Sequence, residues 1–158
     1  MLLRTQILAL SCLTICGCGD DPGSPPAARE FADPGFVTAG NVRLYYALTL
    51  TSDLPPAIAG SYDIVQRPNL ALLTIAIAPA SSAATERLAA FQLQAEAVTL
   101  IGERQALSLR LVNEPGGPTY LATVMVRHRE PITIEIRART ISGGPEINAR
   151  WTREFYLE

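Results

Sequence analysis

The 158-residue sequence predicts an all-β domain, an immunoglobulin-like β-sandwich of about seven antiparallel strands. Three observations carry this. Beyond residue 40, apolar residues recur with period two. Gly- and Pro-rich turn signals separate the runs every 8–14 residues. The chain is 48% hydrophobic, enough at this length for one substantial core.

The first segment is read as an address rather than as fold. Met1 and Arg4 make a positive start, and Ile7 to Cys16 is an uncharged apolar run of 10 residues. That length suits the h-region of a signal peptide and is too short to span a bilayer. Ile15-Cys16-Gly17-Cys18 follows, and it resembles a bacterial lipobox. The resemblance implies cleavage between Gly17 and Cys18, with lipid on Cys18. Cys16 follows bulky Ile15, and Cys12 leaves too short an apolar run. Removing residues 1–17 leaves 141 residues, one cysteine and a net charge of −3. A domain with that inventory has no intramolecular disulfide to form, so its core must supply the stability. Residues 19–30 are polar and Pro-rich, a tether that reaches at most roughly 40 Å.

The domain is expected over residues 31–158. Val42, Leu44, Tyr46, Leu48 and Leu50 share one strand face; Arg43, Tyr45, Thr49 and Thr51 share the other. Leu54 to Gly60 is the one helical turn, with Ser52 or Asp53 as its cap and Gly60 as its stop. Leu70 to Ala78 is apolar on both faces, as a central strand covered on both sides requires. Strands follow at Phe91–Ala97, Leu107–Leu111, Tyr120–Val126, Ile132–Arg139 and Ile147–Leu157. A four-residue loop at 142–145 would place Ile136 opposite Trp151 and Ala138 opposite Ala149. In that register Arg137 opposes Arg150, a like-charge pair, and Arg153 points inward beside Ile134.

From residue 41 the pattern resembles a known family. Tyr45-Tyr46 leads to Ser52-x-Leu54-x-Pro56, Tyr62-x-Ile64-Val65, Asn69 and Leu72-Leu73-x-Ile75-x-Ile77. Later come Glu114, Tyr120-Leu121-Ala122 and Arg153-Glu154-Phe155-Tyr156. These resemble the bacterial domain of unknown function family 4426, small exported β-rich proteins, over about residues 35–157. Members tend to have Gly where this chain has Asp63, and Arg where it has Gln66, with Arg67 displaced by one. The resemblance implies fold and export and assigns no chemistry.

The composition narrows the function classes. All 13 basic residues are Arg, so amine nucleophiles are excluded. A net charge of −2 argues against nucleic acid, whose binding rests on neutralising phosphates. His128 is the only histidine, so a multi-histidine metal site is excluded, and no motif implies a cofactor. His128 sits in Arg127-His128-Arg129-Glu130, a hairpin tip, and no Gly-x-Ser-x-Gly elbow or Asp-x-Asp-x-Asp loop occurs. The aromatics are more suggestive. Tyr45 and Tyr156 fall on polar faces and, with Arg43, Arg137 and Arg150, form a candidate partner-binding patch. The expectation is a lipid-anchored, non-catalytic binding or assembly module of the bacterial envelope, with a protein or glycan partner. Gly19, rather than Asp, after the lipidated cysteine favours the outer membrane, facing the periplasm. The competing classes are an envelope hydrolase using carboxylates and a structural lipoprotein without a specific ligand.

Overall fold

The computed structural model describes residues 35–80, 91–114, 117–141 and 146–157. Gly17, Cys18, the tether and the loop at 142–145 lie outside these residues. The strands are β1 (Gly35–Ala39), β2 (Val42–Leu50), β3 (Leu70–Pro79), β4 (Phe91–Val98), β5 (Arg104–Ala106), β6 (Arg110–Glu114), β7 (Gly117–Met125), β8 (Ile132–Thr140) and β9 (Glu146–Arg153). A 3-10 turn (Thr51–Asp53) and one helix, α1 (Pro56–Ser61), lie between β2 and β3. The strands form a five-stranded sheet, in the order β1-β2-β3-β7-β6, and a four-stranded sheet, β5-β4-β8-β9. The pairings between these strands are antiparallel. The all-β expectation therefore holds.

The core lies between the inner faces of the two sheets. Leu44, Leu48, Leu73, Ile75 and Ile77 come from the larger sheet, and Ile134, Ile136 and Ala138 from the smaller; all are essentially inaccessible to solvent. Within the smaller sheet Ala97 lies beside Ile134, and Ala95 and Ala149 flank Ile136, so small and large side chains alternate across its buried face. Tyr46 stacks on Trp151 across the seam, with ring centroids 4.0 Å apart. A Cβ at Gly35 would stand 2.2 Å from the Tyr46 ring, so this ring needs a glycine beside it.

Several expectations are corrected. Nine strands replace the seven predicted, among the described residues. β1 is an added edge strand, and in place of one strand at Leu107–Leu111 there are two in different sheets, β5 ending just before the run and β6 beginning at Arg110. The Leu107 amide donates to the Ala95 carbonyl of β4 at 2.8 Å, whereas Arg110 pairs with Leu121 of β7. The chain changes sheets between these residues, with Leu107 and Leu109 packed on the core as it crosses. The last hairpin pairs two residues away from the predicted register: Ile134 faces Trp151 and Ile136 faces Ala149. The inward set is unchanged, because a two-residue shift preserves the faces. The gain is electrostatic. Arg137 now opposes Asn148, and Arg150 opposes Glu135, with Nε 3.4 Å from the carboxylate. Arg153 does point inward, at the rim beside Ile132; it donates to the Leu48 carbonyl of the other sheet and lies 4.9 Å over the Phe155 ring. Burial lowers the pKa of its guanidinium, and Asp53 acts in the opposite sense.

β3 is the central strand of its sheet, as its two apolar faces require. One face meets the other sheet. On the second face, residues 63–65 and β7 line a groove above Leu72 and Leu121, both buried although they point outward. The segment between β2 and β3 is fastened at several points. The buried Thr51 hydroxyl donates to the Arg67 carbonyl at 3.1 Å and accepts from the Arg67 amide at 2.9 Å. The Tyr62 hydroxyl donates to Glu114, and Arg110 donates to the Tyr62 carbonyl. The Gln66 amide donates to the Leu54 carbonyl at 2.7 Å.

The helix itself departs from expectation at both ends. Pro55 is the N-cap and Pro56 begins the first turn, so neither Ser52 nor Asp53 caps it. At the other end Ile64 N donates to Ala59 O and Asp63 N to Gly60 O, which is a Schellman motif. Its left-handed residue is Asp63, with φ 53°. The Gly that the resemblance led one to expect at this position is explained, since glycine takes φ > 0 without a Cβ penalty.

Two outcomes follow from this segment. Asp63→Gly relieves the left-handed strain and should stabilise the domain by about 0.5–1 kcal/mol, read as a rise in Tm of about 2–5 °C. Hydrogen bonding to Glu114 raises the Tyr62 pKa above its ordinary 10.0, with the nearby charge and burial acting in the same direction. The native state thus holds the phenol proton more tightly than the unfolded chain does. That stabilisation is complete below pH 10.0 and fades as pH climbs through the higher native value. The Tm gap between the natural chain and Tyr62→Phe should therefore be steady from neutral pH upward and shrink above about pH 10 in a pH-resolved melt.

Candidate functional site

The β1–β2 hairpin assembles an aromatic and guanidinium cluster on the outer face of the larger sheet. Gly40 and Asn41 make a two-residue turn, with Gly40 at φ 60°. The resulting register sets Phe36 opposite Tyr45 and Thr38 opposite Arg43. The Arg43 guanidinium lies 4.8 Å from the centre of the Phe36 ring and 5.8 Å from that of Tyr45. Its Nη1 donates to the Tyr45 hydroxyl at 3.2 Å and its Nε to Thr38 Oγ1 at 3.4 Å. The rings of Phe36 and Tyr45 are 6.0 Å apart. Phe36 is 57% exposed. Such a cluster offers a rigid apolar surface with a cation already in place, which lowers the ordering cost of binding.

The outer face of the smaller sheet has a different chemistry. Gln92, Gln94 and Glu96 of β4 face Arg139, Arg137 and Glu135 of β8, which face Glu146, Asn148 and Arg150 of β9. The charges are largely paired. Arg139 bonds Glu146 at 2.8 Å, and its hydrogen bond is the main cause holding the Glu146 carboxyl below its ordinary range. Glu96 and Glu135 are directly opposite, a like-charge pair that Arg104 bridges. These bonds, to Glu96 first and then Glu135, push the Arg104 pKa further upward. A polar trough of about 290 Å³ runs between Gln92, Gln94, Arg137, Arg139 and Glu146.

Tyr156 belongs to neither face. It follows β9 and stands edge-on to His128 with ring centroids 6.3 Å apart. The Leu157 amide donates to His128 Nδ1 at 3.0 Å, and His128 pairs with Phe155 in a parallel bridge. His128 therefore latches the C-terminal segment. A hydrogen bond to Glu154 is the main cause raising the Tyr156 pKa.

The predicted patch is thus divided. Arg43 and Tyr45 are brought together, Arg137 and Arg150 lie on the outer face of the other sheet, and Tyr156 is at its end. Phe36 joins the first group unannounced. The Gly40-Asn41 dipeptide was the available signal, because a two-residue turn there pairs positions 36 and 45. Cys18 and Gly17 lie outside the described residues.

Comparison with known proteins places the fold. A crystal structure of a DUF4426 family protein from Pseudomonas aeruginosa PAO1 is 18% identical, with TM-score 0.62, covering 79% of this chain and 96% of that one. Two structures of FetP from uropathogenic Escherichia coli strain F11 also match. One is a copper-bound variant, 14% identical with TM-score 0.53, covering 79% of this chain and 96% of the other. The second is the as-isolated protein, 13% identical with TM-score 0.51, covering 79% and 95%. No curated protein matches the chain. The family described as domain of unknown function DUF4426 matches residues 36–158, and the chain belongs to that family.

Proposed function

We propose that this protein is a lipid-anchored envelope module, facing the periplasm from the outer membrane, that binds or assembles with a partner and performs no catalysis. The observation that carries this is the Phe36–Arg43–Tyr45 cluster. Aromatic residues with an arginine are the side chains that dominate interface energetics, and here they are exposed and already ordered against one another. The lipobox at Ile15–Cys18 supports the anchor, and an exported fold with a periplasm-expressed structural neighbour suits the location. The partner best matched by a ring-and-guanidinium surface is a protein.

The hydrolase alternative needs two free carboxylates in a concave site. The acids directly opposite each other, Glu96 and Glu135, are occupied by a shared arginine, and of the two acids that line the groove beside the β4–β5 turn, Glu103 and Glu130, the second is paired with Arg127. Copper is stated for a FetP variant, and the resident side chains do not fit it: among the described residues no group of three or more His, Cys, Asp and Glu could hold a metal ion.

Two experiments test the proposal. Cys18→Ser should abolish incorporation of a fatty-acid probe in growing cells, and persistent labelling would refute the anchor. Cross-linking in intact cells should recover a reproducible partner whose yield drops about tenfold or more in Arg43→Ala and Phe36→Ala, as for truncated hot-spot residues. Recovery unchanged by both substitutions, or no reproducible partner, would defeat the binding role.

A further inference from the structure

The β4–β5 hairpin carries a feature unlike the other described turns. Its tip, Thr99-Leu100-Ile101-Gly102, holds Leu100 68% exposed and Ile101 82% exposed. Loop tips are ordinarily polar, because exposed aliphatic carbon gains nothing from water. The exposure is built in. The Gly102 amide donates to the Thr99 carbonyl at 3.0 Å, the Thr99 amide to the Glu103 carbonyl at 3.0 Å and the Glu103 amide to Thr99 Oγ1 at 3.1 Å. Gly102, at φ 84°, lets the turn close. Neither aliphatic side chain belongs to the core or packs against it. Met125, 54% exposed, lines the same groove as Ile101, beside Arg127 and Glu130.

From this geometry we infer that the Thr99–Gly102 turn is a membrane-contact element, which dips Leu100 and Ile101 into a lipid surface and so sets which end of the sandwich faces the bilayer. The inference rests on the lipid-anchor reading proposed above. Three arguments select lipid as the occupant. The first is place. β1 pairs Gly35 with Tyr46 and Ala39 with Val42, so it runs away from the end that holds Leu50, Leu70 and Met125. The 99–103 turn sits at that same end, across the groove from Met125. Gly35, where the chain enters the sheet, is the residue of β1 nearest to it.

The second is reach. Cys18 precedes Gly35 by 17 residues, which span at most roughly 60 Å. An acylated cysteine keeps the domain within that distance of the bilayer. Tethering makes a second contact intramolecular, so an element too weak to bind alone becomes effective. The third is size. A convex tip of two side chains is far smaller than the roughly 800 Å² per partner of a stable protein interface, whereas lipid accepts an isolated apolar tip. The flanking charges do not oppose this: Arg127 pairs with Glu130 at 3.3 Å, Arg129 adds a cation and Glu103 an anion.

The full chain, isolated with its acyl group, tests this with a nitroxide on Ile101→Cys. The comparison is Ile141→Cys, an exposed aliphatic position at the opposite end of β8. Both are reconstituted into phosphatidylethanolamine–phosphatidylglycerol vesicles. The label at 101 should gain oxygen accessibility and lose nickel-chelate accessibility severalfold, and the label at 141 should not. A water-exposed label at 101 on a chain that floats with the vesicles overturns the inference and leaves the anchor intact. Immobilisation of the label at 101 only after envelope proteins are added to the vesicles also overturns it. More than one label per chain reports an unblocked Cys18 and a failed anchor. The tip is then judged on an otherwise cysteine-free chain labelled at 101 or 141 and held on the same vesicles by an N-terminal histidine tag and a zinc-loaded chelating lipid, so that tethering is kept. The label at 101 should still gain oxygen accessibility severalfold over the label at 141, and equal accessibility overturns the inference.

Discussion

The burial of two sheet faces against each other is the constraint on which the structure depends. The described domain contains no cysteine, so nothing covalent holds the layers together. Leu44, Leu73, Ile75 and Ile77 must find cover, and Ile134, Ile136 and Ala138 provide it. Keeping these residues on the inside forbids a slip of one residue in any of these strands, because it would turn each of them to solvent. The last hairpin shows how this works. A slip of two residues keeps the buried set intact, so packing alone does not choose between the registers. Charge pairing is what differs: the observed register sets Arg150 against Glu135 instead of against Arg137.

A second constraint follows from the first. β3 is apolar on both faces, so it needs cover on the side away from the partner sheet. The segment between β2 and β3 supplies it with very little regular structure. Thr51, Tyr62 and Gln66 fasten it by hydrogen bonds, and Asp63 takes a left-handed conformation to turn the chain out of α1. Tyr62 and Glu114, two of the residues that carry the family resemblance, meet here although 52 positions apart. Their contact is architectural: it ties the cover to the edge strand β6 and leaves the outer face near β1 open for the Phe36–Arg43–Tyr45 cluster.

The two outer faces therefore suit different roles. On the smaller sheet, guanidinium and carboxylate groups satisfy one another, as on a solvated surface. On the larger sheet, at the β1–β2 edge, a ring stands exposed with a cation over it. At one end of the sandwich, aliphatic residues stand on a rigid turn. On the proposed reading, the surface for a partner and the surface for orientation are separate in space.

The sequence by itself determined which face most strand residues take, where most turns fall, that the fold is all-β and that a single helical turn interrupts it; Leu111, read on one face with Leu107 and Leu109, is instead exposed. Period two is a local property, and a strand carries it wherever it pairs. Only the tertiary structure decided which strand lies beside which, that the Leu107–Leu111 run divides between sheets, and that Arg137 and Arg150 lie on a different face from Arg43 and Tyr45. The reason is that alternation specifies a face but not a partner. Contacts such as Arg153 to the Leu48 carbonyl, 105 residues apart, are selected by how the layers close and leave no mark in the neighbouring sequence. Phe36 fell between these cases: its strand is short and its alternation weak, so its place beside Arg43 was legible only through the turn at Gly40-Asn41 that folds one strand back on the next.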